Sequence, residues 1–493
     1  MPEELEIGAV VFSSLIFLYL FLPLCLILYF SVKSLQAKNI VLVVFSLLFY
    51  AWGEPVYVLL MIGSAAMNYA AGLWMGLVDE DGQNPIIKKI VLIVSIVLNL
   101  LALGVFKYAG LFVSTFNQLT GLAVPVPEIA LPIGISFFTF QAMTYVIDVY
   151  RGQVKVQMSY LKFLLYISMF PQLIAGPIVR YADIEVQIEN RTSSQEDIFY
   201  GLVRFATGLG KKILIADHAF NVCSQLLDGA MSSATVIGTW LGIIMFTFQI
   251  YFDFSGYSDM AIGLGRMFGF KFNENFKLPY MALSITDFWR RWHISLSSFF
   301  RDYVYIPLGG KYKHRTFNLL VVWSLTGLWH GASWNFLLWG LYFFVLLMVE
   351  KKYYGRYKKI VPKAARHAIT MLLIIFGWTI FYFTDFACLG RAFGALLGFA
   401  GGGFINTEVK IQLLNNLPLL VACIIGSSPI PRFLGDVVGL LCTDPNPEGV
   451  KKKVYVEITN QYIQNNSNLS LWFDIDHTVR EVKPGERLFH ISI

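Results

Sequence analysis

Two histidines stand where an uncharged base could work. His330 occupies Gly327-Leu328-Trp329-His330-Gly331-Ala332-Ser333-Trp334-Asn335, and His293 occupies Thr286-Asp287-Phe288-Trp289-Arg290-Arg291-Trp292-His293-Ile294-Ser295-Leu296-Ser297. The first stretch lies near the middle of an apolar run over about residues 317–349. Lys311, Lys313, His314 and Arg315 close that run at one end, Lys351 and Lys352 at the other. With both ends on the cytoplasmic side, His330 sits deep in the membrane, where an ionisable residue is costly and marks a functional site by default. Neutral imidazole suits removal of a proton from an alcohol, because its unperturbed pKa of about 6.5 lies close to working pH. No Gly-x-Ser-x-Gly elbow, P-loop or His-Glu-x-x-His helix competes for the chemistry. Two histidines without carboxylates at ligand spacing do not make a metal site.

Helical spacing says how these residues would be held. Trp289, His293, Leu296 and Phe300 share one helical face, and Asp287 reaches Arg290 and Arg291 as an ion pair. Gly327 and Gly331 form a small-xxx-small pair that admits a close helical neighbour. Thr326, His330 and Trp334 share a face, with Trp329 and Asn335 beside them. Each histidine has a structural alternative as a hydrogen-bonded core residue, and the arginines serve equally well as topology markers. Two other segments carry polar groups among apolar ones. Residues 249–259 place Asp253, Ser255 and Asp259 at the end of a long apolar helix, and residues 170–177 break a helix around Gln172 between two prolines. Either segment lines a substrate passage or forms a helix-end turn.

The chain of 493 residues is 56% hydrophobic and only 14% charged, too little charge to clothe a soluble protein of this length. Apolar runs begin near Val10, Ile40, Tyr57, Lys89, Ala130, Tyr160, Ala234, Asn318, Ala368 and Ile411, with shorter ones near Tyr108 and Leu389; the run at Asn318 can divide into two short helices. The composition predicts an all-α polytopic membrane protein of roughly eleven transmembrane or re-entrant helices. The net charge of +6 gathers in loops. Lys33 and Lys38, Lys88 and Lys89, Lys211 and Lys212, and the basic stretches over residues 290–315 and 351–366 mark cytoplasmic sides. No basic, aromatic-laced soluble face points to nucleic acid, and no duplicated halves point to a secondary transporter. Phe199, Leu202, Val203, Ala206 and Leu209 share a helical face with Arg204, Lys211 and Lys212 set among them. That pattern describes a helix lying in the interface with its basic side chains at the headgroups, or a soluble loop helix.

The acidic start of the chain lacks the features of a cleaved signal peptide, so the first apolar run is expected to be retained. Cys25, Cys223, Cys388, Cys423 and Cys442 are never paired at metal or redox spacing and read as small core residues. Residues 1–428 form the expected membrane domain. Residues 429–493 form a polar tail with strand-like stretches at 454–458 and 469–475.

Trp292-His293-Ile294-Ser295-Leu296-Ser297, Tyr305-Ile306-Pro307-Leu308-Gly309-Gly310 and Gly327-Leu328-Trp329-His330-Gly331 together resemble the membrane-bound O-acyltransferase (MBOAT) family. The run from Leu131 to Gln141, with residues 170–177 and 253–259, is similar to its bacterial alginate O-acetyltransferase branch. The resemblance implies a ring of helices with funnels from both faces meeting near the histidine. It implies transfer of an acetyl group from a cytoplasmic donor, acetyl-CoA, toward an exported or cell-wall polysaccharide in the bacterial inner (plasma) membrane. It further implies His330 and His293 as the catalytic pair, no permanently bound cofactor, and a separate extracytoplasmic SGNH-type acetyltransferase as partner. Members of the branch end in another hydrophobic helix, whereas this chain turns polar after Lys451. On residues alone, two other classes stand beside the enzyme: a transporter or channel for a polar solute or lipid-linked sugar, and a non-catalytic assembly subunit.

Overall fold

A computed structural model describes residues 11–80, 85–173, 176–431, 433, 471–473 and 479–481. The chain separates into two units, Met1–Cys423 and Ile424–Ile493. Among its described residues, the regular elements of the first are all helices. Its principal helices are α1 (Leu35–Gly53), α2 (Tyr57–Glu80), α3 (Pro85–Thr120), α4 (Ile135–Tyr150), α5 (Tyr160–Ser168), α6 (Gln195–Gly210), α7 (Val236–Met267), α8 (Ile285–Arg291), α9 (Ile294–Phe300), α10 (Arg315–His330), α11 (Trp334–Ile360) and α12 (Lys363–Tyr382). In the second unit, β1 (Leu471–Phe473) pairs antiparallel with β2 (Val479–Glu481), with Leu471 opposite Glu481. The expected strand at 469–475 contains β1; the one at 454–458 lies outside the described residues.

Six helices among the described residues are long and apolar enough to cross a membrane: α1, α2, α3, α7, α11 and α12. A seventh span is available if Thr407–Asn415 and Leu417–Gly426, bent by 50°, act as one. The expected figure of roughly eleven differs for identifiable reasons. The runs beginning at Lys89 and Tyr108 are one 36-residue helix, α3. The run at Ala130 starts its helix only at Ile135, because Gly134 adopts a left-handed conformation (φ 73°) as the N-cap. The runs at Tyr160 and Leu389 make helices too short to span hydrocarbon alone.

The run at Asn318 divides at Gly331 into α10 and α11, and the two halves fold against each other. A Cβ on Gly327 would collide with the carbonyl of Phe336, and one on Gly340 with the carbonyl of Trp323. The pairs 327/336 and 323/340 fix an antiparallel hairpin whose backbones touch at glycine, so the small-residue pattern serves a neighbour from the same run. Both basic ends therefore lie on one side. At 1.5 Å per residue, the fifteen steps along α10 put His330 about 22 Å from Arg315, most of the way across a hydrocarbon core about 30 Å thick.

A second glycine contact joins α6 to α7. A Cβ on Gly201 would lie 2.6 Å from the Gly263 carbonyl, and one on Gly256 2.8 Å from the Gly208 carbonyl. At that separation the basic residues of α6 and the turn after it reach acids on α7. Arg204 and Lys211 pair with Asp259 at 2.7 and 2.6 Å, and Lys212 pairs with Asp253 at 3.1 Å and Asp217 at 2.7 Å. Phe199, Leu202 and Val203 are exposed. The segment is amphipathic as expected, but its cations face protein carboxylates rather than lipid headgroups, since an ion pair between packed helices satisfies both charges.

The hairpin contact is testable. Gly340→Leu should lower stability in detergent by about 1–3 kcal/mol or more through overpacking. Gly104→Ala, where nothing lies within 4 Å, should raise it by about 0.5–1 kcal/mol. Thermal melts of the purified protein compare the two.

Candidate active site

The stretch around His293 is not one helix. α8 ends at Arg291, and α9 begins at Ile294 with His293 as its N-cap in the left-handed region (φ 44°, ψ 56°). Such a conformation costs a β-carbon-bearing residue about 1–3 kcal/mol and persists only where its surroundings enforce it. Here the surroundings are a strand-like return. Lys277 N–H donates to Arg291 O at 2.9 Å, and Ile294 N–H to Asn275 O at 3.0 Å. At the other end of α8, Ser284 caps Asp287 N–H, while Glu350 of α11 accepts from Ile285 and Thr286 N–H at 2.6 and 3.2 Å. The hairpin arm thus fixes the segment that carries His293.

Asn275 sets the chemistry of this histidine. Its Oδ1 accepts from His293 Nδ1 (3.2 Å), Ser295 N–H (3.1 Å) and Ser295 Oγ (2.9 Å), and its Nδ2 donates to Ser258 Oγ at 3.3 Å. An amide oxygen only accepts, so Nδ1 must carry the proton and the lone pair is left on Nε2. His293 is 1% exposed, and Nε2 is buried without a hydrogen-bond partner. Phe254 of α7 lies edge-on to the imidazole at 4.7 Å.

His330 reaches the same place from the tip of the hairpin. Trp329 meets both imidazoles, with ring centroids 5.6 Å from His293 and 4.9 Å from His330. Trp339 and Phe381 meet His330 edge-on at 4.9 and 5.2 Å. Neither nitrogen of His330 has a hydrogen-bond partner among the described residues, and the residue is partly exposed, as are Gly331 and Trp334 on either side of the break. The turn that carries His330 ends inside the membrane, so its last carbonyls need donors. Tyr108 O–H donates to Leu328 O at 2.5 Å, and the Lys107 ammonium donates to Trp329 O and, at 3.3 Å, to Ser136 Oγ. A cation at a helix C-terminus also meets the negative end of the helix dipole. The geometry offers two imidazoles in contact with one indole, one locked in its tautomer and one partly exposed.

The remaining expected site residues scatter. Asp287 pairs with Arg291 at 2.8 Å, whereas Arg290 is exposed and has no ion pair among the described residues. Asn335 is fully buried and donates to Ile380 O and Phe381 O at 3.2 Å, satisfying the end of α12 beside His330. Trp334 belongs to α11, so it shares no helical face with His330; its indole donates to Thr115 at 3.1 Å. Asp253 and Asp259 fall within α7, not at its end, and their ion pairs turn them toward α6, while Phe254 and Ser258 of the same helix face His293 and Asn275. Gln172 is buried and donates to Tyr166 O at 2.5 Å. Its segment meets the site through Ile178, whose N–H donates to Ser295 Oγ at 3.0 Å. Among the described residues no cluster of three His, Cys, Asp or Glu side chains could hold a metal. Sequence reasoning missed Lys107, Tyr108, Ser136 and Asn275. Lys107 had a signal: it is the lone cation in the apolar stretch of α3 beyond Lys89. Asn275 had none. Asn275→Leu should lower stability by about 1–3 kcal/mol, because it strands buried donors, and a shifted melting temperature in detergent checks this.

Comparison with known proteins matches residues 87–392 to the membrane-bound O-acyltransferase family. The chain is 41% identical over 397 residues to the probable alginate O-acetylase AlgI of Pseudomonas syringae pv. tomato, covering 79% of this chain and 75% of that protein. It is 35% identical over 415 residues to the peptidoglycan O-acetyltransferase of Helicobacter pylori, covering 76% and 78%. It is 28% identical over 272 residues to the teichoic acid D-alanyltransferase of Bacillus subtilis, covering 52% and 68%. The matched region holds both histidines, the α10–α11 hairpin and Lys107. A multi-pass chain of apolar helices with this match is an acyltransferase, and it belongs to the membrane-bound O-acyltransferase family.

Proposed function

We propose that this enzyme moves an acetyl group from acetyl-CoA on the cytoplasmic side toward a polysaccharide on the far side of a bacterial plasma membrane. One observation carries the assignment: two imidazoles flank Trp329, and the Nε2 of His293 is left unprotonated by the hydrogen bond from its Nδ1 to Asn275. His330, at the far end of α10 and partly open, is the base for the incoming hydroxyl. As the hydroxyl oxygen bonds to the thioester carbonyl carbon, its proton passes to the imidazole of His330. Collapse of the tetrahedral intermediate breaks the C–S bond, and the departing thiolate takes that proton. His293 orients the thioester at the inner end of the donor path.

Relatives named for alginate, peptidoglycan and teichoic acid share one acceptor chemistry, a hydroxyl-bearing extracellular polymer, and we assign this chain an acceptor of that class. A hairpin tip about 22 Å from the basic face suits an acceptor that arrives from outside. An extracytoplasmic SGNH-type acetyltransferase would complete delivery to the polymer.

Transfer from radiolabelled acetyl-CoA in inverted membrane vesicles tests this reading. His330→Ala should lower the rate by about 10²–10⁴-fold, the usual worth of a positioned base. His293→Ala should also impair transfer, while each protein remains folded by its melting profile. Wild-type rates in His330→Ala vesicles would refute the assignment.

A further inference from the structure

Acyl transfer to a hydroxyl passes through a tetrahedral intermediate whose oxygen carries negative charge, and fixed donors aimed at that oxygen are usually the largest source of rate. In a site short of water the donor must be a protein group beside the base. Most side-chain donors next to the histidines are already engaged in holding the fold. Tyr108 donates to Leu328 O, Asn335 to Ile380 O and Phe381 O, Trp334 to Thr115, and Asn275 to Ser258. Lys107 directs two of its three N–H bonds to Trp329 O and Ser136 Oγ.

Two indoles are in ring contact with His330 among the described residues, Trp329 and Trp339. In both, Nε1 is buried and has no hydrogen-bond partner among the described residues. Burying a donor without an acceptor costs free energy, the more so inside a membrane, where water cannot satisfy it. The two differ in access. Trp339 is 0% exposed, enclosed by Trp323, Phe343, Trp378 and Phe381. Trp329 is partly exposed, and among the described residues it is the one ring that meets both imidazoles.

The Trp329 indole is held without help from its N–H. Phe137 meets it edge-on at 5.7 Å, Phe140 stacks beside it at 6.2 Å, and the Lys107 ammonium donates to its backbone carbonyl. That ammonium also lies 5.8 Å from the centre of the indole ring. A cation there is attracted to the π-electrons, and by drawing on them it makes the N–H a stronger donor. An indole nitrogen donates only, so it cannot serve as the base. What it can do for the reaction is hydrogen-bond to an acceptor that the substrate supplies.

Resting on the reading of His330 as base and a thioester as donor, we infer that Trp329 is a further catalytic residue. Its Nε1–H donates to the carbonyl oxygen of the acyl group as that oxygen becomes negative. The attacking hydroxyl, hydrogen-bonded to His330, stands about 3–3.5 Å from the carbonyl carbon, so the oxyanion forms among the groups that touch this imidazole. The hydroxyl oxygen bonds to the carbon, the π-pair of the C=O bond moves onto its oxygen, and His330 takes the hydroxyl proton. The indole keeps its own proton throughout. When the C=O bond re-forms, the C–S bond breaks, the thiolate leaves with the proton from His330, and the hydrogen bond to the indole weakens.

The experiment removes the N–H and keeps the ring. At position 329, β-(3-benzothienyl)alanine, introduced by nonsense suppression, puts sulfur in place of the N–H in a ring system of the same shape. Trp329→Phe removes the N–H with a smaller ring. With the isostere, acetyl transfer from acetyl-CoA in inverted vesicles should lose about 10²-fold in kcat, the usual effect of one missing oxyanion donor. KM for acetyl-CoA and the melting profile should stay nearly unchanged, and Trp329→Phe should lose at least as much kcat. A wild-type kcat with the isostere, or a loss carried wholly by KM, overturns the inference. His330→Ala separates it from the reading beneath: inactive His330→Ala beside a fully active isostere removes the role of the indole and leaves the base, whereas an active His330→Ala removes both. If the wild type transfers nothing from acetyl-CoA, that donor reading fails by itself. The rate of surface-polymer O-acylation in cells carrying the isostere then decides the indole: a large loss supports its role, and a wild-type rate overturns it.

Discussion

A helix broken inside hydrocarbon leaves backbone groups that no water can satisfy, and the interior of this protein is arranged around two such breaks. One follows His330, the other precedes His293. The first is stabilised by Lys107 and Tyr108, which donate to the last carbonyls of α10, and by Asn335, which closes the end of α12 next to it. The second is stabilised by Asn275, which accepts three hydrogen bonds at one oxygen, and by Glu350, which receives the first N–H groups of α8. Remove the breaks and both imidazoles would point along ordinary helix faces into lipid or packing. With the breaks, two helix ends converge and present two rings to Trp329.

Close helix packing makes the convergence affordable in geometry. Gly327 and Gly340 let α10 and α11 touch backbone to backbone, so a single apolar run can turn back on itself and leave its midpoint as a tip. Between α6 and α7, the same device brings cations and carboxylates within 3.1 Å of each other. In that pairing, α7 keeps one face for electrostatics and another, with Phe254 and Ser258, for the surroundings of His293. Charge that looked available for substrate is used to join helices.

Polarity across the membrane follows from the same hairpin. Its basic ends share a side, and its tip, which carries His330, lies toward the other. From His293, α9 and the turn after it lead through Tyr303 to Lys311, Lys313 and Arg315, on that basic side.

Composition alone determined that this chain crosses a membrane, because 14% charged residues cannot cover a soluble surface of this length. His330 stood out as an ionisable side chain in an apolar run and His293 by the aromatic and basic stretch that carries it, and the motifs around them pointed to the family. Helix number was only partly legible: hydropathy locates apolar runs, but Gly134, Gly331 and His293 decide where the helices in them start and stop. The spacing that put His293 on a continuous face with Trp289, and His330 on one with Trp334, failed because each assumed an unbroken helix. Asp253 and Asp259 were visible as misplaced charges, but their partners, Arg204 on α6 and Lys211 and Lys212 just after it, were not. The tertiary structure alone decided which nitrogen of His293 is free and what holds His330, because the deciding partners are distant in sequence: Lys107 lies 222 residues from Trp329. Periodicity reports which face a residue occupies; only packing reports what that face meets.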